Sequence, residues 1–291
     1  MSVLDTVVVT TLPNAAISKQ ISPKAFLARI NVAKAALLAD IAAGCRVIAL
    51  CEPSMLPHFS DVCSRIHTWD EAVADKAFQV NIINRRVLFL EDPGSENTTM
   101  GHGRRLIIKL ATHMFPYTLG DKFLSFLSPA IVWREPEKDI AQFIYAICEP
   151  LVTGEADIVI PRRKSLASYP QFSQYWEATG SMMASYIIGG QPQDYWVGPR
   201  AFNLATAKYF LQYPGQQTGL PDWHDCIFGP IVDAVADGRR VAGVEIDFEY
   251  PPEQRDAEEY DAATMTKRMA VMRKLLEAIA KRKEWNLARQ K

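Results

Sequence analysis

Short apolar, β-branched runs alternate with helix-like stretches through the first half of the chain. Val3–Thr11, Arg46–Cys51, Arg86–Leu90, Ala130–Trp133 and Asp157–Ile160 read as five strands. Between the first two, Ser22-Pro23 is a helix start, an N-cap followed by proline at the first helical position. Phe26, Leu27, Ile30, Ala33, Leu37, Leu38 and Ile41 then recur at helical spacing, and Gly44 stops the run. Phe59–Ile66, Leu106–Met114 and Asp139–Val152 are the helices expected between the later strands. Strand-helix units of roughly 30 to 40 residues predict a mainly parallel sheet flanked by helices on both faces.

The second half is less regular. Gln171–Ile188, Ala205–Gln212 and Cys226–Asp237 read as helices, the last closed by Gly238. Tyr195–Phe202 and Val241–Tyr250 read as strands. Asp256–Trp285 is predicted as one long charged helix, with Met265, Met269, Met272, Leu276 and Ile279 on one face. No repeat, low-complexity tract or linker divides the chain, so a single α/β domain over residues 1–291 is expected.

Composition narrows the class. Hydrophobic residues make up 48% and charged residues 22% of the 291, ordinary for a globular protein. The net charge of −1 gives no global attraction to nucleic acid or anionic membrane. No run reaches the roughly 18 apolar residues of a spanning helix. The amino-terminal run lacks a basic flank and reads as a strand rather than a signal. Five scattered cysteines without a CxxC pair read as reduced thiols, and a cytoplasmic protein is expected.

Chemistry concentrates where strands end. Glu135-Pro136-Glu137 follows the predicted fourth strand, and carboxylates at a sheet edge can hold a divalent cation. The same acids also suit a helix start, a compatible reading. Gly101-His102-Gly103-Arg104-Arg105 lies before a helix, where glycines permit close approach and free N–H groups favour anions. A diphosphate would rationalise its two arginines; a solvated loop is the alternative. Arg162, Arg163 and Lys164 form a basic turn, either a clamp for an anion or a solvated bend. Tyr169, Gln171, Phe172, Tyr175 and Trp176, and later Trp196 and Arg200, mix aromatic faces with polar edges. That mixture suits sugar rings, and core packing is its rival. Asp222-Trp223-His224-Asp225 offers a general base, a metal ligand, or a helix N-cap.

In this order the features resemble GT-A fold glycosyltransferases, from about Val7 to Tyr250. The resemblance implies a GT-A-like domain: about residues 1–165 binding a nucleotide sugar, about 166–252 an acceptor, and 253–291 a C-terminal helix. It implies donor contacts from Thr10, Leu12, Pro13, Glu52, Gly101, Gly103, Arg104, Arg105 and Glu135. Glu135-Pro136-Glu137 stands in place of the usual Asp-x-Asp motif, so Glu135, Glu137 and His224 become the expected ligands of Mn2+ or Mg2+. Asp222 or Asp225 matches the late acid that acts as base in inverting members. Acceptor contacts are expected from Arg162, Arg163, Tyr169, Gln171, Trp196 and Arg200.

The expected function is therefore transfer of a sugar from a nucleoside diphosphate sugar to a small or anionic acceptor. Its rivals are a nucleotidyltransferase on a related sheet and a non-catalytic nucleotide-sugar-binding protein. Against the first, Thr10–Asn14 has no glycine or arginine for a phosphate loop after strand one. The C-terminal helix, rich in Lys and Met, is the expected homodimer contact.

Overall fold

The computed structural model describes residues 7–12, 22–63, 66–74, 87–91, 100–114, 123–126, 136–189, 191–213 and 225–289. In chain order these form β1 (Val7–Thr11), α1 (Pro23–Ala42), β2 (Arg46–Cys51), a 3-10 turn (Pro53–Phe59), β3 (Ile66–His67) and α2 (Trp69–Ala74). Then come β4 (Val87–Glu91), α3 (Met100–Met114), β5 (Phe123–Phe126), α4 (Pro136–Val152), β6 (Ile158–Arg163) and α5 (Gln171–Ile188). β7 (Arg200–Asn203), α6 (Leu204–Gln212), α7 (Asp225–Ala236), β8 (Val241–Ile246), α8 (Pro252–Glu258) and α9 (Ala262–Arg289) complete the order.

The eight strands make one sheet in the order β3-β4-β2-β1-β5-β7-β6-β8. All neighbours are parallel except β7, which runs antiparallel to β5 and β6. Val7, Val8, Val9, Val47, Ile48 and Ala49 are buried, as strands covered on both faces require. One face carries α1, which touches both α4 and α8; the other carries α3, α6 and α7, with α9 packed on α7 and α5. The expected class, a mainly parallel α/β sheet with helices on both faces and a long C-terminal helix, is the one observed.

Local signals explain several element ends. Ser22 Oγ accepts from Ala25 N at 3.2 Å, and Pro23 opens α1. Gly44 follows with a φ of 89°, open to glycine and strained for other residues. The long charged helix is split: Asp261 accepts from Ala263 N and from Thr264 Oγ1, capping α9 anew after α8.

Other expectations shift. The strand beside β1 is Phe123–Phe126; the predicted fourth strand, Ala130–Trp133, lies outside the described residues. Phe123-Leu124-Ser125-Phe126 is short and carries no β-branched residue, so it gave a weak signal. β6 continues through Pro161 to Arg163 against β8, while its β7 pairing ends at Val159. Proline thus sits beyond the last β7 partner, where its missing N–H costs that ladder nothing. The expected basic turn at Arg162 and Arg163 is therefore the end of a strand. In α9 the buried apolar side chains are Met272, Leu275, Ala278 and Ile279, whereas Met269 is exposed. That buried face lies on α5 and α7 of the same chain, so intrachain packing accounts for it.

Candidate functional site

Successive strands β1, β2 and β4 step outward in one direction, and β5 then returns to the other side of β1. This makes a topological switch point between β1 and β5, and in open α/β sheets ligands bind outside the carboxyl ends of the strands there. Thr10 and Leu12 are buried at the end of β1, where Leu12 N donates to Leu50 O across to β2. Glu52 follows β2, and its Oε1 accepts from Ser54 Oγ at 2.8 Å. Pro13 lies outside the described residues.

α3 begins at this same edge. A Cβ at residue 103 would overlap the Leu50 side chain, so Gly103 lets the first helical turn lie directly on the end of β2. Gly101 is buried in the same turn. The opening N–H groups of a 15-residue helix are thereby held at the carboxyl end of β2, the neighbour of β1. Arg104 Nη1 lies 3.3 Å from Cys226 Sγ, which ties α3 to the first turn of α7. Arg105 is half-buried in the same helix.

From the other side, Arg200 opens β7. It is 1% exposed, and its guanidinium donates to the carbonyls of Tyr195, Val197 and Pro199 at 2.5–2.7 Å. Burial pushes its pKa down to about 10, opposed by Asp194, while Arg104 and Arg163 repel it. Arg200 therefore shapes the 195–199 segment. Trp196 of that segment lies against Phe228 of α7, 5.3 Å between ring centroids, and over Gly180 of α5. A Cβ at 180 would overlap the indole.

Arg163 is also fully engaged. Its Nε and Nη2 meet the two oxygens of Asp194 at 2.6 Å, and Nη1 meets Glu177 at 2.5 Å. Burial raises the Asp194 carboxyl, and the hydrogen bonds and charge of Arg163 outweigh it, leaving the pKa below its ordinary value. Tyr169 packs under the same guanidinium, 4.6 Å from Arg163 Cζ, and against Tyr250. Two expected acceptor cations, Arg163 and Arg200, thus have their hydrogen bonds directed into the protein. Arg162 instead faces outward, 2.9 Å from Glu245, with roughly half of its side chain exposed. Gln171 is exposed at the start of α5, its N–H donating to Glu259.

The acids of the expected metal site are only partly in view. Glu135, Asp222 and His224 lie outside the described residues. Glu137 and Asp225 are placed by backbone alone, each in the first turn of its helix, α4 and α7. Among the described residues no three His, Cys, Asp or Glu side chains gather as a metal site.

Sequence reading did not pair the following acids with the arginines that they neutralise. Asp194 and Glu177 hold Arg163. Glu258 meets Arg29 at 2.9 Å and also Arg268. Neither pairing has a spacing signal, since Arg29 and Glu258 are 229 residues apart.

Fold and edge together define an α/β protein with a topological switch point between β1 and β5, the place where open α/β sheets bind ligands. No family model and no curated protein sequence matches the chain. Among solved structures it is similar to glucosyl-3-phosphoglycerate synthase from Mycobacterium tuberculosis, in complex with Mn2+, uridine diphosphate and glucosyl-3-phosphoglycerate. The TM-score is 0.48 at 13% identity, over 95% of this chain and 79% of that one. No helix among the described residues is long and apolar enough to cross a membrane.

Proposed function

We propose that the chain is a GT-A-like glycosyltransferase that moves a sugar from a nucleoside diphosphate sugar to a small or anionic acceptor. One observation carries this reading: the first turn of α3, with Gly103 on Leu50 and Arg104 against Cys226, lies at the carboxyl end of β2, the strand paired with β1. Helix N–H groups and a guanidinium converge where a ligand is expected, which suits a diphosphate. Thr10, Leu12, Pro13 and Glu52 then border the nucleoside, and Gly101, Gly103, Arg104 and Arg105 the diphosphate.

Glu135 and Glu137 are the proposed holders of Mn2+ or Mg2+, with His224. Glu137 lies in the first turn of α4, the next described element after β5, and its carboxylate suits a hard cation. A bound cation would neutralise charge gathering on the leaving diphosphate. Arg104 and Arg105 assist by the same electrostatics. In an inverting reaction Asp222 or Asp225 takes the acceptor proton; Asp225 opens α7, one residue from the Cys226 that Arg104 touches. Arg162 and Gln171 are the proposed acceptor contacts. Arg163, Tyr169, Trp196 and Arg200 shape the wall behind them.

Thermal-shift measurements with UDP- and GDP-sugars, with and without manganese, test the reading. A nucleotide-dependent rise in melting temperature that Arg104→Ala abolishes is expected. If no nucleotide stabilises the protein, the transferase reading fails. Release of pyrophosphate from a nucleoside triphosphate, rather than UDP or GDP from a sugar donor, would reassign the site to nucleotidyl transfer.

A further inference from the structure

A cavity of about 510 Å³ opens where β6 ends, between that strand, α5 and residues 192–194. β7 runs antiparallel to both β5 and β6, so β6 is parallel to β1 and its carboxyl end lies on the same sheet edge. Two strand spacings, ~10 Å, separate β6 from β5. Leu166, Ala178, Met182, Tyr186 and Pro192 form an apolar wall. Most of the polar lining is already matched. Asp194 receives Arg163 and Ser181, Glu177 receives Arg163, and Ser185 Oγ donates to Ser181 O and accepts from Gln193 N.

Two lining groups remain for a ligand. Gln193 is 6% exposed, and its side-chain oxygen has no hydrogen-bond partner. Native interiors seldom leave such an acceptor unpaired, so it marks a place where something else brings the donor. Arg162 meets Glu245 through Nη2 alone among the described residues, and its side chain is 48% exposed. The two groups share a surface. A Cβ at residue 243 would overlap the Gln193 oxygen, so the carboxamide rests on Gly243 of β8. Gly243 and Glu245 are two residues apart on one face, and their register partners in β6 are Ile160 and Arg162. The seat of the carboxamide and the arginine thus stand ~7 Å apart along that face.

We propose that Gln193 determines acceptor specificity and that the acceptor is a hydroxylated aromatic acid. The inference rests on the transferase reading, in which Arg162 is an acceptor contact. The carboxylate of the acid meets the rest of the Arg162 guanidinium, while Glu245, more than half exposed, turns to water. The ring lies on Tyr186 and on the Met182 thioether, which are 88% and 67% exposed at the cavity. A hydroxyl across the ring from the carboxylate donates to the Gln193 oxygen, which no hydrogen bond holds on Gly243. An apolar cleft of this volume with a few placed polar groups suits a small organic ligand. A second hydroxyl takes the sugar. Its oxygen forms the new glycosidic bond as the bond from sugar to diphosphate breaks, and its proton leaves to the proposed base, Asp222 or Asp225.

Calorimetric titration of the full chain, with and without UDP, compares 3,4-dihydroxybenzoate with 3-hydroxybenzoate. The two acids differ only in the hydroxyl assigned to Gln193, and roughly tenfold tighter binding of the first is expected. Gln193→Leu and Gly243→Ala should bring that ratio close to one, whereas Arg162→Gln weakens both acids alike. Gln193→Leu removes an unpaired oxygen, and Gly243→Ala displaces only the end of a flexible side chain, so both should keep the wild-type melting curve. Equal binding of the two acids by the wild-type chain, or a preference that survives Gln193→Leu, overturns the proposal. In transfer assays the same two variants should raise KM for the dihydroxy acid more than they lower kcat. The nucleotide-sugar thermal shift reads the transferase assignment separately. A nucleotide shift with no binding of either acid overturns the acceptor class alone. Acid binding that Gln193→Leu weakens, without any nucleotide shift, overturns the acceptor role and leaves a binding site for the acid.

Discussion

The two halves of this molecule hold themselves together differently. Around β1, β2 and β4 the core is aliphatic and aromatic: Val7, Val8, Val9, Ile48, Leu88, Phe89, Leu90 and Phe59. Around β6, β7 and α8 the interior admits Arg163, Arg200, Gln254, Glu258 and Arg282. Arg282 meets Asp233 at 2.6 Å and 2.8 Å, and Tyr250 Oη donates to Glu258 at 2.7 Å. The first half is specified by burial, which is non-directional. The second is specified by pairing, which is directional and fails when one partner is lost. Buried charge is weak evidence of net stability, but it fixes which segments meet. Arg163 joins the end of β6 to α5 and to the 194–200 segment. Glu258 joins α8 to α1 and α9.

Breaking a pair should therefore cost more than trimming an exposed one. Arg163→Ala strands Asp194 in the interior and should destabilise by about 3–5 kcal/mol, read from urea unfolding. A loss under 1 kcal/mol would mean that the arginine is not a structural hub. Crowding the same region is the next test. Gly180→Ala drives a methyl into Trp196 and Met272 and should cost about 1–3 kcal/mol, with a change in tryptophan fluorescence. Unchanged stability and fluorescence would contradict the close packing of α5 on that indole.

Titration separates the halves further. Asp194 and Glu258 both sit below their ordinary values of 3.8 and 4.5: burial pushes each up, and the arginines outweigh it. A depressed folded pKa contributes stability that is present above the unfolded value and lost as pH falls through the folded one. The second half should thus weaken on acidification below about pH 4, and Asp194→Asn should flatten part of that loss.

Asp40, on α1, has the opposite sign. Burial raises it well above 3.8, and its Oδ1 has no hydrogen-bond partner. A raised folded pKa gives stability that is complete below the unfolded value and declines as pH rises. Asp40→Asn should then stabilise at pH 8, on the order of 1–3 kcal/mol, with the gain vanishing near pH 4. A gain that persists in acid would show that ionisation is not its cause.

The smallest effect belongs to Arg162→Ala. Its exposed pair with Glu245 should contribute no more than about 1 kcal/mol. On the proposed function it raises the KM for an anionic acceptor while leaving the melting temperature nearly unchanged.

By itself the sequence determined the parts whose physics is local. Apolar runs predicted β2, β4 and the start of β6; Ser22-Pro23 predicted the start of α1, and Gln171–Ile188 is α5 to the residue. It also marked Gly103 and Arg104 as lying in the first turn of a helix. Only the tertiary structure decided which arginines face outward. Arg162 and Arg163 are neighbours in one strand, and alternation sends one to water and the other to Asp194 and Glu177. Nor could periodicity find β5, too short to register, or the pairing of Arg29 with Glu258. Such contacts join residues far apart in the chain, and only the folded topology brings them together.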